Sequence, residues 1–290
     1  MITPSRLRNR PILTDMDILS TLKKHGFSFS KKYGQNFITD TNLLDAIADD
    51  ASVTSEDTVL EIGAGAGTLT GALAKKAKRV IAFEIDRSLE SVLDETLAPY
   101  DNVEVIMDDV TKWTDEEIDD LVGGEYKVVA NLPYYITTPL LFMFLERKRR
   151  PTSITVMVQK EVAERICATE KKGDYGALSV SVALRADAQI TRVVKRDMFT
   201  PPPNVDSAVV RIDMLGGIAV KDEKTLFTLV KKAFAMKRKT LVNNLSAGYG
   251  MSKADAEEII TSIGLKPTAR AEELSKEQFI TLADALFERK

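Results

Sequence analysis

Five short segments rich in Val, Ile and Leu alternate with helix-patterned segments through the first two thirds of the chain: Thr58 to Ile62, Val80 to Phe83, Val103 to Met107, Lys127 to Ala130 and Ile154 to Val158. Runs this short and this apolar are strands buried on both faces. That is the pattern of a parallel sheet covered by helices, because a sheet with one wet face would alternate polar and apolar residues. Helices are expected from an Asp40 or Thr41 cap through Leu43, Leu44, Ile47 and Ala48, around Leu69, Leu73 and Ala77, and from Leu89 to Leu97. Two further strands, Gln189 to Val194 and Ser207 to Ile212, have no clear helix between them and are expected to form an antiparallel edge. After Leu215-Gly216-Gly217 the pattern becomes helical only, at Leu226 to Met236, Thr240 to Leu245, Lys253 to Ile263 and Lys276 to Phe287. The expected organisation is therefore a basic arm over 1–25, an α/β domain over 26–215 and a helical domain over 218–290.

Composition narrows the chemistry. With 44% hydrophobic and 29% charged residues over 290 positions, the chain can bury a sizeable core. One cysteine, Cys167, and one histidine, His25, exclude an internal disulfide and a Cys/His zinc cluster. A Ser-His-Asp or Cys-His hydrolase would rest on His25 alone, in Lys-Lys-His-Gly, and is set aside. No apolar signal segment opens the chain, and Pro4 and Pro11 spoil a presequence helix among Arg6, Arg8 and Arg10, so the expected location is cytoplasmic. The uncharged stretch Val128 to Leu145 approaches membrane length, but Asn131, Pro133, Thr137, Thr138 and Pro139 read as strand, turn and new helix, so no membrane span is expected. The net charge of −3 hides segregation. The N-terminal arm is basic, as are Arg147 to Arg150 and the run Lys231, Lys232, Lys237, Arg238 and Lys239, whereas Asp101 to Glu125 is acidic.

The loop Glu61-Ile62-Gly63-Ala64-Gly65-Ala66-Gly67 follows a strand and opens a helix, where glycine permits a tight turn and close backbone approach by a ligand. A dinucleotide fingerprint would need its third glycine at position 68, which is Thr68. The GxGxG spacing, with an acid two places before Gly63, suits S-adenosylmethionine, which has no pyrophosphate to seat on a helix N-terminus. Glu84 ends the second strand, where a carboxylate can accept hydrogen bonds from both ribose hydroxyls. Asp109 occupies the same place on the third strand and can hold the adenine amino group. Each is, by itself, also readable as a surface acid.

The fourth strand runs into Asn131-Leu132-Pro133-Tyr134. The amino nitrogen of adenine is a poor nucleophile because its lone pair is delocalised into the ring. Accepting both amino hydrogens, on the Asn131 side-chain oxygen and the Leu132 carbonyl, directs that lone pair at a methyl donor without a strong base. Pro133 stiffens the loop, and Tyr134 can stack on a purine drawn out of any helix. A plain strand-terminating turn with an aromatic anchor is the bland alternative.

Together with Tyr33 to Phe37, Gln159 to Arg165, Phe199 to Arg211 and Phe234 to Asn244, these motifs resemble the small-subunit ribosomal RNA adenine dimethyltransferases of the KsgA/Dim1 family from about Gly26 onward. The resemblance implies a seven-stranded Rossmann-like methyltransferase sheet with a small all-helical C-terminal domain. It implies transfer of methyl groups from S-adenosylmethionine to N6 of two adjacent adenosines in the 3′-terminal hairpin of small-subunit rRNA, within an assembling 30S-type subunit. It adds Asn36 and Ile38 to Gly63, Glu84, Asp109 and Asn131 as cofactor-binding residues, and sets Phe199 opposite Tyr134 across the flipped base. On this reading Lys237, Arg238 and Lys239 grip RNA phosphates from a basic helix, and a monomer is expected. Ala64 stands where the family commonly has proline. Cys167 is expected as a small buried residue and Trp113 as packing. Large-subunit rRNA dimethylation, DNA adenine methylation and a non-catalytic assembly or transcription factor on the same fold are the competing readings, and the intact Asn131 to Tyr134 motif disfavours the last.

Overall fold

The computed structural model describes residues 15–29, 35–134, 136–171 and 174–289. In chain order the elements are α1 (Asp15–Lys24), β1 (Phe37–Ile38), α2 (Thr41–Asp50), β2 (Thr58–Ile62), α3 (Thr68–Ala74), β3 (Arg79–Phe83), α4 (Glu90–Thr96), β4 (Val103–Ile106), α5 (Asp115–Val122), β5 (Tyr126–Asn131), α6 (Thr137–Glu146), β6 (Ser153–Gln159) and α7 (Lys160–Ile166). There follow α8 (Ala177–Arg185), β7 (Ala186–Val194), β8 (Phe199–Thr200), β9 (Ser207–Met214), α9 (Glu223–Ala233), α10 (Leu241–Tyr249), α11 (Lys253–Ser262) and α12 (Lys276–Phe287). By their contacts they form two compact units, one of residues up to 163 with 189–213, the other of 164–188 with 214 onward.

The first unit holds a seven-stranded sheet of order β4-β3-β2-β5-β6-β9-β7. β3 and β5 both run parallel to β2, β4 parallel to β3 and β6 parallel to β5. The apolar runs of β2 and β6 are buried as their composition requires, with four of five and six of seven positions inside. β4, expected to be buried on both faces, instead lies at the sheet's edge, with Val103, Val105 and Ile106 half-buried and Glu104 exposed. β9 enters antiparallel between β6 and β7, with Ser207 opposite Gln159. The two added strands thus lie side by side at one edge of the sheet. Strand order reverses at β2, and ligands of open α/β sheets bind beyond the C-terminal ends of the strands at such a switch point.

Three elements in this unit escape the apolar pattern. The acidic stretch contains α5, started by a Thr114/Glu117 capping box and ended at Gly123 with φ 70°. The two-residue strands β1 and β8 pair antiparallel, Phe37 with Thr200 and Ile38 with Phe199, and strands so short carry no periodicity to read. The supposed arm contains a helix, α1, over Asp15–Lys24. Met1 to Thr14 lie outside the described residues, but α1 buries Ile18 and Leu22 in a core that includes Phe37, Ala64, Ala66 and Leu93.

The second unit is helical, with Val180, Leu184, Leu226, Val230, Leu245, Ile260, Phe279 and Leu282 in one core. It takes in α8 as well as the segment after Gly216-Gly217, so the chain crosses between units before the glycines as well as at them. α8 is apolar nearly all round and buries seven of its nine residues, which makes it an interior helix that an amphipathic pattern does not reveal. Cys167 lies just past the end of α7 and is half-buried rather than buried. Among the described residues no helix is long and apolar enough to cross a membrane.

Candidate functional site

The chain after β2 turns three times through glycine. Gly63, Gly65 and Gly67 have φ of 81°, 59° and 80°, a region where side chains with a Cβ are strained. At Gly67 a Cβ would also come within 2.8 Å of Thr96 Oγ1, so close packing under the loop demands glycine a second time. The loop is tied to the neighbouring strand: the Gly63 and Ala64 N–H groups donate to Phe83 O at 2.8 and 3.0 Å.

Glu84 closes the cradle from below. It is 6% exposed, and its two carboxylate oxygens accept from Gly65 N and Asp86 N, each at 2.8 Å. Burial pushes its pKa up, against those same backbone donors, which pull it down. Each oxygen retains a second lone pair, so the carboxylate that holds the loop can also accept from a ligand hydroxyl. Asp86 in turn accepts from Gln35 Nε2 at 2.6 Å, linking the loop to the segment that leads into β1. Glu61 lies deeper, wholly buried beside the Thr70 hydroxyl. Burial raises its pKa to about 8, opposed by a hydrogen bond from Thr70 and reinforced by the nearby Glu84.

A cavity of about 230 Å³ opens above this cradle. Asn36, Ile38, Gly63, Glu84, Asp109, Asn131, Leu132, Pro133, Tyr134 and Phe199 all line it, so residues up to 163 positions apart in sequence share one space. The tertiary links are specific. Asn131 Nδ2 donates to Asn36 O at 3.3 Å, and the β1–β8 pairing carries Phe199 beside Ile38. Tyr134 OH and Ser207 Oγ are 3.1 Å apart, and burial holds the phenol above its ordinary range. Asp109 caps a single helical turn, its Oδ1 accepting from Thr111 N and Oγ1 at 3.0 and 2.7 Å. Trp113 meets Phe83 edge-on and donates to Asp108 Oδ2 at 3.1 Å. The cavity also takes in Asp108, Gln35, Glu61 and an apolar wall of Leu44, Ile47 and Met157. Glu61 was legible as part of the loop pattern, whereas the wall comes from ordinary core positions that nothing local distinguishes.

The basic residues fare differently. Lys237, Arg238 and Lys239 are exposed in the second unit, on the turn between α9 and α10 rather than on a helix. Asn244, 2% exposed, holds that turn, accepting from Met236 N at 2.9 Å and donating to Met236 O at 3.2 Å and Thr240 O at 3.4 Å. Lys232 points inward, to Gly248 O and over the Tyr249 ring at 4.0 Å. Arg147 is also interior, 3% exposed and donating to Asp115 O at 2.9 Å, so neither belongs to a surface patch.

A family model described as ribosomal RNA adenine dimethylase matches residues 26–288. Ribosomal RNA small subunit methyltransferase A of Bacillus mycoides (strain KBAB4) is 46% identical over 273 residues, 91% of this chain and 94% of that one, and the Bacillus cereus (strain B4264) protein of the same name agrees equally. The crystal structure of a dimethyladenosine transferase from Plasmodium falciparum superposes with a TM-score of 0.70 at 27% identity, covering 85% of this chain and 95% of that one. That of 23S rRNA methyltransferase ErmE gives 0.61 at 26% identity, covering 87% and 100%.

Proposed function

Since the chain belongs to the ribosomal RNA adenine dimethylase family, we propose that it is an S-adenosylmethionine-dependent small-subunit rRNA methyltransferase that dimethylates N6 of two adjacent adenosines in the 3′-terminal hairpin. The observation that carries the cofactor is electrostatic. Glu84, Asp108 and Asp109 line the cavity, with no lysine or arginine among its described lining residues. Such a lining opposes a pyrophosphate and favours a ligand bearing positive charge and free hydroxyls. S-adenosylmethionine has both, and when bound it supplies an electrophilic methyl group on a sulfonium. Gly63 and its loop would lie against it, Glu84 would accept from its ribose, Asp109 from its adenine amino group, and Asn36, Ile38 and Asn131 would complete its enclosure.

The chain's own residues do the rest. Asn131 Oδ1 and the Leu132 carbonyl accept the two amino hydrogens of the target adenine, holding its lone pair toward the methyl donor. Pro133 limits the freedom of that loop. Tyr134 and Phe199 take the two faces of the extruded base and exclude water from it. Lys237, Arg238 and Lys239 contact phosphates of the structured RNA. The greater identity to the small-subunit enzymes than to ErmE favours the small subunit over the large one. An assembling subunit in the cytoplasm is the expected partner, with the enzyme a monomer.

The test is to incubate the protein with methyl-labelled S-adenosylmethionine and immature small subunits, large subunits or duplex DNA, then map the label. N6 label on two adjacent adenosines of small-subunit rRNA, lost by orders of magnitude in Asn131→Ala, is the expected result. Label confined to large subunits or DNA would overturn the substrate, and wild-type single-turnover rates in Asn131→Ala would overturn the positioning mechanism.

A further inference from the structure

The segment Asn204-Val205-Asp206-Ser207 stands out in sequence yet has no part in the chemistry above. Of its last two residues, one touches Tyr134 and the other holds the turn that leads to Phe199. Ser207, fully buried at the start of β9, holds the Tyr134 hydroxyl at 3.1 Å. Asp206 accepts from Lys195 Nζ at 2.9 Å and from Arg196 N at 3.1 Å, at the head of the helical turn Arg196–Met198 that delivers Phe199. The Asp206 carbonyl accepts from Lys160 N at 3.0 Å, fixing the same dipeptide to the end of β6. Phe199 is fixed from its other side by the pairing with Ile38.

We propose that Asp206 and Ser207 are positioning residues that set the separation and tilt of the two aromatic walls, Tyr134 and Phe199, and so determine how well an extruded base is held. The proposal rests on the reading of those two rings as the base-stacking pair. Stacking needs parallel faces at a fixed spacing; Phe199 is packed into the core, and Tyr134, only half-buried, can swing about its side-chain bonds unless its far end is held. The buried Ser207 hydroxyl holds the far end of Tyr134, and the Asp206 carboxylate holds the turn from which Phe199 enters the core, with both anchors on adjacent residues at one strand end.

The experiment uses hairpin RNA with 2-aminopurine at a target adenosine, whose fluorescence rises when the base leaves the stack. S207A and Y134F should each reduce base capture roughly three- to tenfold, the range of one neutral hydrogen bond, and the double variant should lose no more than either alone. D206A should also reduce capture, and its loss should multiply with that of S207A because it acts through the other wall. Cofactor affinity of S207A, by calorimetry, should stay at the wild-type value. Wild-type capture in S207A, or losses in S207A and Y134F that multiply, would overturn the brace. If S207A fails to fold, Y134F decides alone, because it keeps the ring and removes the tether: wild-type capture in Y134F overturns the brace. Y134A separates the two ideas. Normal capture in Y134A would sink the stacking reading itself, whereas loss in Y134A with none in Y134F would leave stacking intact and remove the brace.

Discussion

At the scale of single residues, the two carboxyls beneath the glycine loop play different parts, one in the pH dependence of stability and the other in holding loop and ligand. Glu61, with a pKa raised to about 8 by burial, is held neutral by the fold but ionises near its ordinary value in the unfolded chain. Its contribution to stability is therefore complete below the ordinary carboxylate range and is lost as pH rises through about 8. Glu61→Gln removes that loss. The melting temperature of the ligand-free variant should exceed wild type by a margin that widens from acid to mildly alkaline pH, and a constant margin would mean that Glu61 is not held neutral. Glu84 already accepts two backbone donors, so Glu84→Ala should weaken cofactor binding both by removing a charged acceptor, worth about 1.5–3 kcal/mol per hydrogen bond, and by releasing Gly65. Calorimetry should register at least a tenfold loss with the fold retained; near-normal affinity would reduce Glu84 to a strand-end acid. Which residue types could do this chemistry was plain from Glu84, Asn131 and Tyr134. The charge state of Glu61 was not, because it depends on burial that no local pattern encodes.

At the scale of elements, a side chain can matter by holding backbone rather than by touching a ligand. Asn244 on α10 makes hydrogen bonds to both ends of the turn that carries Lys237, Arg238 and Lys239. Asn244→Ala strands buried backbone groups, at about 1–3 kcal/mol for an unsatisfied partner, and lets the turn wander. The helical unit should lose stability, and binding to small subunits should weaken severalfold while cofactor affinity is unchanged. Unaltered subunit binding would mean that the turn needs no fixed shape. Expecting a basic helix there was reasonable from the flanking apolar spacing, but α9 ends at Ala233 and α10 begins at Leu241. What decides the matter is Asn244, a residue outside the turn, which supplies the hydrogen bonds that helix continuation would otherwise have supplied.

For the whole molecule, the proposed function divides recognition between the sheet unit, which bears the cavity, and the helical unit, which bears the basic turn. Neutralising Lys237, Arg238 and Lys239 together should weaken binding to small subunits and flatten its salt dependence, with cofactor affinity unchanged, since each phosphate contact contributes counterion release. The fold should persist, because exposed charges add little stability. A short hairpin carrying the two adenosines should be a much poorer substrate than an assembling subunit. Equal activity on both, or an unchanged salt slope, would confine recognition to the sheet unit. The strands, the glycine loop and the Asn131 to Tyr134 motif were determined by local sequence, because apolar runs, glycine spacing and donor–acceptor chemistry act within a few residues. Tertiary structure alone decided that β8 would bring Phe199 to Ile38, that α8 would join the helical core, and that Arg147 and Lys232 would turn inward. Each of those depends on partners distant in the chain, and a buried contact leaves no period or spacing in either of the segments that make it.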